Sequence, residues 1–173
     1  MEIYKNYVQL REKNIVLIGM PGCGKSTIGK ILASKIGYKF EDLDDYIESI
    51  SGKTIKELFL KGEENFRQWE QEAVTKIYDK TGMVIATGGG TIKSTFNMKL
   101  LMKRGIIIFI DRPIDNIMKD IDIRTRPLLK DGVEKLYGLY DERYNIYKAY
   151  SDVKINNSGT IKESIDEILK SIT

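Results

Sequence analysis

Near the start of the chain, Gly19-Met20-Pro21-Gly22-Cys23-Gly24-Lys25-Ser26 satisfies G-x-x-x-x-G-K-[ST], with Thr27 next. Glycines let backbone N–H groups converge on phosphates where side chains would block the approach. The loop opens a helix whose N-terminus favours anions. Lys25 can reach β- and γ-phosphates, and the Ser26 hydroxyl can ligate Mg²⁺. Residues 22–27 (Gly22, Cys23, Gly24, Lys25, Ser26 and Thr27) are therefore the candidate ATP- or GTP-binding segment. Cys23 is the only cysteine, so no intramolecular disulfide can form. A helix N-terminus and Lys25 beside it would favour its thiolate; the plainer alternative is an inert small residue at a variable position.

Three further groups could do chemistry. Asp42-Leu43-Asp44 ends the second expected strand. Alternate spacing there would send both carboxylates to one side, one for Mg²⁺ and one for an acceptor hydroxyl. The alternative is a helix N-cap with acidic neighbours. Thr87-Gly88-Gly89-Gly90 follows an apolar run and can offer N–H groups to an anion, or can be a flexible turn. Arg67, Arg126 and Arg143 are cations in different elements, each alone an ordinary surface arginine. Histidine is absent, so acid–base work falls to carboxylates, Lys or Tyr.

The elements that must position these groups alternate along the chain. Short apolar runs at Asn14–Ile18, 38–42, Met83–Ala86, 106–110 and 153–155 read as strands. Helical periods cover Lys25–Ile36, 43–50, 63–80, 95–103, 113–121, Val133–Tyr150 and Ile161–Ile172, with a shorter face at Ile55, Leu58 and Phe59. Gly37 is placed to end the first helix. Strands buried on both faces and separated by helices predict a doubly wound α/β fold on a parallel sheet. A polar, basic loop at 122–132 has the length of a functional lid or of a passive surface loop.

The 173 residues suit one domain, and 42% hydrophobic with 31% charged residues is ordinary for a globular protein. A net charge of +3 from 28 basic and 25 acidic side chains, mixed along the chain, gives no reason to expect nucleic acid. The longest apolar run is too short to cross a bilayer, and no secretory leader precedes it. A cytoplasmic monomer without membrane or nucleic-acid partners is the expectation. Asp79-Lys80-Thr81-Gly82 matches D-x-x-G formally, but it precedes a strand and no N-K-x-D motif accompanies it. A signalling GTPase is disfavoured.

In combination these residues resemble the shikimate kinase family. The resemblance rests on the phosphate loop with Ser26-Thr27-Ile28-Gly29, Phe40-Glu41-Asp42-Leu43-Asp44-Asp45-Tyr46-Ile47-Glu48, and Gly52-Lys53-Thr54-Ile55 leading to Leu58-Phe59. It continues through Gly62-Glu63-Glu64-Asn65-Phe66-Arg67 with Glu70, Gly88-Gly89-Gly90, Arg126-Pro127-Leu128-Leu129 and Arg143-Tyr144-Asn145-Ile146-Tyr147. It implies a three-layer P-loop fold with a five-stranded parallel sheet in the order 2-3-1-4-5 and a mobile lid at 119–132. Residues 43–80 would form the acceptor-binding region and 1–13 an extension, with Ile3, Tyr7 and Leu10 on one helical face. The implied reaction is transfer of the ATP γ-phosphoryl group to the 3-hydroxyl of shikimate, a step toward aromatic amino acids. By the same resemblance Ser26 and, through water, Asp42 serve Mg²⁺, and Asp44 is the base. Arg67, Gly88, Gly89, Gly90 and Arg143 bind shikimate, Lys25 and Arg126 steady the moving phosphoryl group, and Lys119 and Asn157 lie on the ATP side. The rivals are a gluconate- or nucleotide-type kinase of the same fold, and a regulatory module without catalysis. Intact Lys25, Asp44 and Arg126 disfavour the module.

The chain departs from the family's pattern on the adenine side. Lys119 stands where an arginine is common, and the loop around Asn157-Ser158-Gly159-Thr160 lacks a proline that some members carry. A guanidinium stacks on an aromatic base, whereas an ammonium is compact and strongly hydrated. ATP should therefore be preferred over GTP by no more than about tenfold, or ~1.4 kcal/mol. Lys119→Arg should sharpen the preference, read as kcat/KM for the two donors. A strong wild-type preference untouched by the substitution would assign base reading elsewhere, with Arg124 first in line.

Overall fold

Asn14–Ile18 (β1) is buried along its whole length, because apolar side chains leave both of its faces. A strand of that kind needs a neighbour on each edge and a layer over each face. A computed structural model, which describes residues 13–120 and 132–172, supplies both. β2 (Lys39–Asp42), β3 (Met83–Ala86), β4 (Gly105–Asp111) and β5 (Val153–Asn156) join β1 in one parallel sheet of order β2-β3-β1-β4-β5. Val16 lies opposite Ile85 on one side and Ile107 on the other. The expected strand order is borne out.

The helices are α1 (Lys25–Ile36), α2 (Leu43–Ser51), α3 (Ile55–Leu60), α4 (Glu63–Ile77), α5 (Thr95–Arg104), α6 (Ile114–Asp120), α7 (Val133–Tyr150) and α8 (Ile161–Ile172). Gly37 ends α1 as expected, with φ 73° and its N–H on the Ala33 carbonyl. A 3-10 turn, Thr91–Lys93, follows the triple glycine. The expected face at Ile3, Tyr7 and Leu10 lies outside the described residues, as do Arg124, Arg126 and most of the expected lid.

All five strands point their C-terminal ends to the same edge of the sheet, where ligands bind in open parallel sheets. That edge carries the phosphate loop after β1, Asp42 at the end of β2, Thr87 to Gly90 after β3, Asp111 at the end of β4, and Asn157 after β5.

The opposite edge is closed by one side chain. Asn14 is 2% exposed. Its Nδ2 donates to the Lys80 carbonyl at 2.6 Å, and its Oδ1 accepts the Met83 N–H at 3.1 Å. This explains why α4 stops at Ile77 rather than at residue 80. The segment after it must turn so that the Lys80 carbonyl meets Asn14, and Gly82, with φ 69°, then leads into β3. Asn14→Leu removes both partners, and each orphaned backbone group costs about 1–3 kcal/mol. Chemical denaturation should show a loss of roughly 2–4 kcal/mol, with the KM values for both substrates unchanged.

Candidate active site

The phosphate loop is shaped by where its carbonyls go. Lys25, 8% exposed, donates from Nζ to the Gly19 carbonyl at 2.8 Å and the Met20 carbonyl at 2.9 Å. The Cys23 N–H closes the turn on the Met20 carbonyl at 3.1 Å. Gly19 has φ 148°, and a Cβ there would meet the Ile110 carbonyl oxygen at 2.6 Å and Cys23 Sγ at 2.8 Å. Only glycine fits. Gly24 caps α1 with φ 100°, and the first N–H groups of that helix have no acceptor within it. The sequence reading of the loop as a phosphate cradle fits this geometry.

Two residues of the loop region stand differently from the sequence reading. Cys23 is fully buried, with Sγ 3.7 Å from Lys25 Nζ and under Gly19. A reagent cannot reach it while the loop is closed, so the plainer reading as a small filler replaces the reactive thiol. Asn157 is 8% exposed, and its side chain is occupied by protein: Nδ2 donates to the Cys23 carbonyl at 2.8 Å, and Oδ1 accepts from Ser164 Oγ at 2.8 Å. It holds the loop rather than reaching out to a ligand.

Asp42 and Asp44 meet at a strand–helix junction, not along one strand. Asp42 is the N-cap of α2, and its Oδ1 accepts the Asp44 N–H at 3.0 Å. Its Oδ2 accepts from Ser26 Oγ at 2.5 Å. The N-cap reading and the metal reading thus describe two oxygens of one carboxylate. Ser26 and Asp42 put a hydroxyl and a carboxylate side by side at the mouth of the cradle, which suits Mg²⁺. That ion takes one or two protein oxygens and fills its other positions with water and phosphate. Thr27 is exposed, on the first turn of α1.

Asp44 is partly buried. Desolvation first, then the negative charges of Asp42 and Glu70, push its carboxyl up to about 6, with Lys25 opposing. Glu70 is completely buried between two elements: Oε1 accepts from Arg67 Nη1 at 2.9 Å and Oε2 from Thr91 Oγ1 at 2.7 Å. On its other side Arg67 donates to Glu63 Oε1 from Nε at 3.2 Å and Nη2 at 3.1 Å.

The triple glycine is where these groups converge. A Cβ on Gly88 would lie 3.3 Å from Asp44 Oδ1, one on Gly89 2.7 Å from Pro21 Cδ, and one on Gly90 would overlap the Arg67 guanidinium. Asp44, the phosphate loop and Arg67 each pack against a missing side chain. The Gly89 carbonyl accepts from Tyr147 Oη at 2.6 Å, and the Tyr147 ring stacks on Phe109 with centroids 5.2 Å apart.

Arg143, one helical turn before Tyr147, is 4% exposed, and its Nε and Nη1 have no hydrogen-bond partner among the described residues. Its nearest anion, Glu142 Oε1, lies 3.7 Å from Nε. Lys93 stands between Glu142 and Glu63, with Nζ 3.9 Å from each. Arg67 of α4 packs on Gly90, and α7 reaches the same turn through Tyr147, with the Glu63–Lys93–Glu142 series running between the two helices. Lys119 is exposed near the end of α6. Lys93 and Arg112 were not singled out from sequence, and Glu70 entered only as part of the family resemblance, without a role; Thr91 against Glu70, Glu142 against Lys93 and Gly22 against Arg112 lie in other elements.

A model of the shikimate kinase family matches residues 21–173. The chain belongs to the shikimate kinase family. It is 50% identical to the shikimate kinase of Clostridium botulinum (strain Alaska E43 / Type E3) over 93% of this chain and 98% of that one. It is 43% identical to that of Clostridium beijerinckii, over 91% of this chain and 93% of the relative. Among solved structures, the Acinetobacter baumannii shikimate kinase in complex with shikimate superimposes with TM-score 0.88 at 32% identity, covering 96% of both chains. A Sinorhizobium meliloti gluconokinase shares the fold alone, with TM-score 0.62 at 15% identity. The family resemblance drawn from motifs is borne out, and with it the ATP-dependent kinase class.

The raised Asp44 carboxyl has a stability consequence that a kinase of this family must carry. Between roughly pH 4 and 6 the folded protein keeps a proton on Asp44 that the unfolded chain has released. Stability contributed by this group therefore falls as pH rises through that window, by on the order of 2–3 kcal/mol at pH 7. Asp44→Asn should melt higher than wild type at pH 7.5, should lose that advantage at pH 4.5, and should be nearly inactive. Wild-type kcat/KM should drop as pH falls through about 6. Equal melting temperatures for the two proteins at pH 7.5 would contradict the burial argument.

Proposed function

We propose that this protein transfers the γ-phosphoryl group of ATP to the 3-hydroxyl of shikimate, giving shikimate 3-phosphate and ADP, in aromatic amino acid biosynthesis. One observation carries the acceptor assignment. Arg143 is a buried guanidinium with two nitrogens that have no hydrogen bond among the described residues, one helical turn before the Tyr147 that holds the Gly88-Gly89-Gly90 turn. Burying such donors unpaired is costly, and a planar carboxylate satisfies a guanidinium fork with two parallel bonds. A carboxylate-bearing acceptor seated there has Asp44 and the phosphate loop on its other side.

The step then balances simply. Asp44 takes the proton from the acceptor hydroxyl, whose oxygen forms a bond to the γ-phosphorus while the bond to the β,γ-bridging oxygen breaks and ADP leaves. A loose phosphoryl-transfer transition state needs in-line positioning and charge neutralisation more than covalent help. Lys25, with three donors, can keep one loop carbonyl and turn another hydrogen to phosphate. Ser26 and, through water, Asp42 would hold Mg²⁺, which when bound neutralises charge on the β- and γ-oxygens. By the family resemblance Arg126 adds a further cation. A carboxyl near 6 is ionised at neutral pH yet basic enough to accept a proton, as general-base catalysis favours. We place the enzyme in the cytoplasm as a monomer, with residues 43–80 forming the acceptor region.

ADP release over shikimate, gluconate and nucleoside monophosphates separates this reading from its rivals. Gluconate also bears a carboxylate, so turnover of gluconate but not shikimate would overturn the assignment. Arg67→Lys and Arg143→Lys should each raise KM for shikimate about ten- to a hundredfold, from loss of a charge-assisted bond of about 1.5–3 kcal/mol. Nucleotide affinity without acceptor should barely change. Wild-type KM values in both variants would remove the carboxylate grip.

A further inference from the structure

The carbonyls of the phosphate loop are held from outside as well as from within. While Lys25 takes those of Gly19 and Met20, those of Gly22 and Cys23 are taken by residues that follow neighbouring strands. The Gly22 carbonyl accepts from Arg112 Nη1 at 3.3 Å, and the Cys23 carbonyl accepts from Asn157 Nδ2 at 2.8 Å. Arg112 follows the last residue of β4, and Asn157 follows the last residue of β5.

Both donors are themselves fixed. The Arg112 Nη2 donates to the carboxylate of Asp120, the last residue of α6. Asn157 is fixed by Ser164 at its Oδ1 and by its own N–H on the Asp111 carbonyl at 2.8 Å. A peptide C=O and the N–H that follows it point in opposite directions, because the unit is planar and trans. Drawing the Gly22 carbonyl outward turns the Cys23 N–H inward onto Met20, which closes the loop. Drawing the Cys23 carbonyl outward turns the Gly24 N–H toward the cradle. Neither outside donor belongs to the G-x-x-x-x-G-K-[ST] pattern.

We infer that Arg112 is a positioning residue for the donor nucleotide: it fixes the Gly22–Cys23 peptide, so that the loop's N–H groups are oriented before ATP arrives. It acts through the loop backbone and not on the base or the acceptor. Asp120 keeps the guanidinium from swinging away. The inference rests on ATP being the donor and is independent of which acceptor is used.

The test measures ADP binding by calorimetry without acceptor, then KM for ATP, GTP and shikimate, for wild type, Arg112→Ala, Arg112→Lys and Asp120→Asn. Arg112→Ala should weaken ADP binding about tenfold. It should raise KM for ATP and GTP in parallel and leave KM for shikimate and the melting temperature of the free protein near wild type. Arg112→Lys, whose single ammonium cannot span both partners, should fall between, and Asp120→Asn should have the smallest effect. If Arg112→Ala precipitates, Arg112→Lys alone decides. Unchanged ADP affinity in the Arg112 variants overturns the inference. So does an equal effect from Asp120→Asn, which would make the ion pair rather than the carbonyl contact responsible. A rise for ATP without one for GTP would assign Arg112 to the base, and an equal rise for shikimate would mean general loosening.

Discussion

Gly88, Gly89 and Gly90 bring three chemically different groups to one corner of the sheet, and they do so by having no side chains. Pro21 of the phosphate loop, the Asp44 carboxylate and the Arg67 guanidinium each occupy the space that a Cβ would claim. The phosphate loop, Asp44 and Arg67 are thus spaced by close contact with a single backbone turn. The turn cannot drift, because its central carbonyl is held by Tyr147, whose ring is stacked on Phe109 of the central sheet. Phosphoryl transfer between two bound molecules depends on such spacing, since orientation supplies much of the rate.

The charges around this turn are arranged unequally. Arg67 is fully engaged, between buried Glu70 and exposed Glu63, so its direction is set by protein. Arg143 is the reverse case: buried, close to one anion, and lacking hydrogen bonds among the described residues at two nitrogens. One arginine is oriented by protein and the other is not. On the proposed reading, an acceptor carboxylate would meet one partner already oriented and relieve another left unsatisfied, which limits the ordering cost of binding. Burial first, and then the nearby charges of Asp42 and Glu70, raise Asp44 in the same corner.

The parts legible in the sequence were those set by local pattern. The phosphate loop announced itself by spacing, and β1, β3 and β4 by continuous apolar runs. The two edge strands were faint, β2 having no fully buried residue and β5 only Ile155. What sequence missed is non-local. Glu70 reads as a polar position on a helix until Thr91 and Arg67 are seen against it, and Arg112 as a surface residue until it meets Gly22. Asn157 was assigned to ATP by its place near the adenine side, but proximity in sequence to a ligand loop does not reveal that both ends of an amide are already used. Helix α4 was read three residues too long because the Asn14 contact that turns the chain lies far away in sequence.

The Ser164–Asn157–Cys23 chain of hydrogen bonds joins the first turn of the last helix to a loop near the beginning of the protein. Synthesis runs in the other direction. A nascent chain carries its phosphate-binding sequence out of the ribosome early, but β4 and β5 must follow before Arg112 and Asn157 can hold it, and α8 before Asn157 is itself fixed. Contacts of such long sequence separation form late. A segment carrying the phosphate-loop pattern alone therefore lacks both of its outside holds, and the cradle is complete only once β4, β5 and α8 have packed against it.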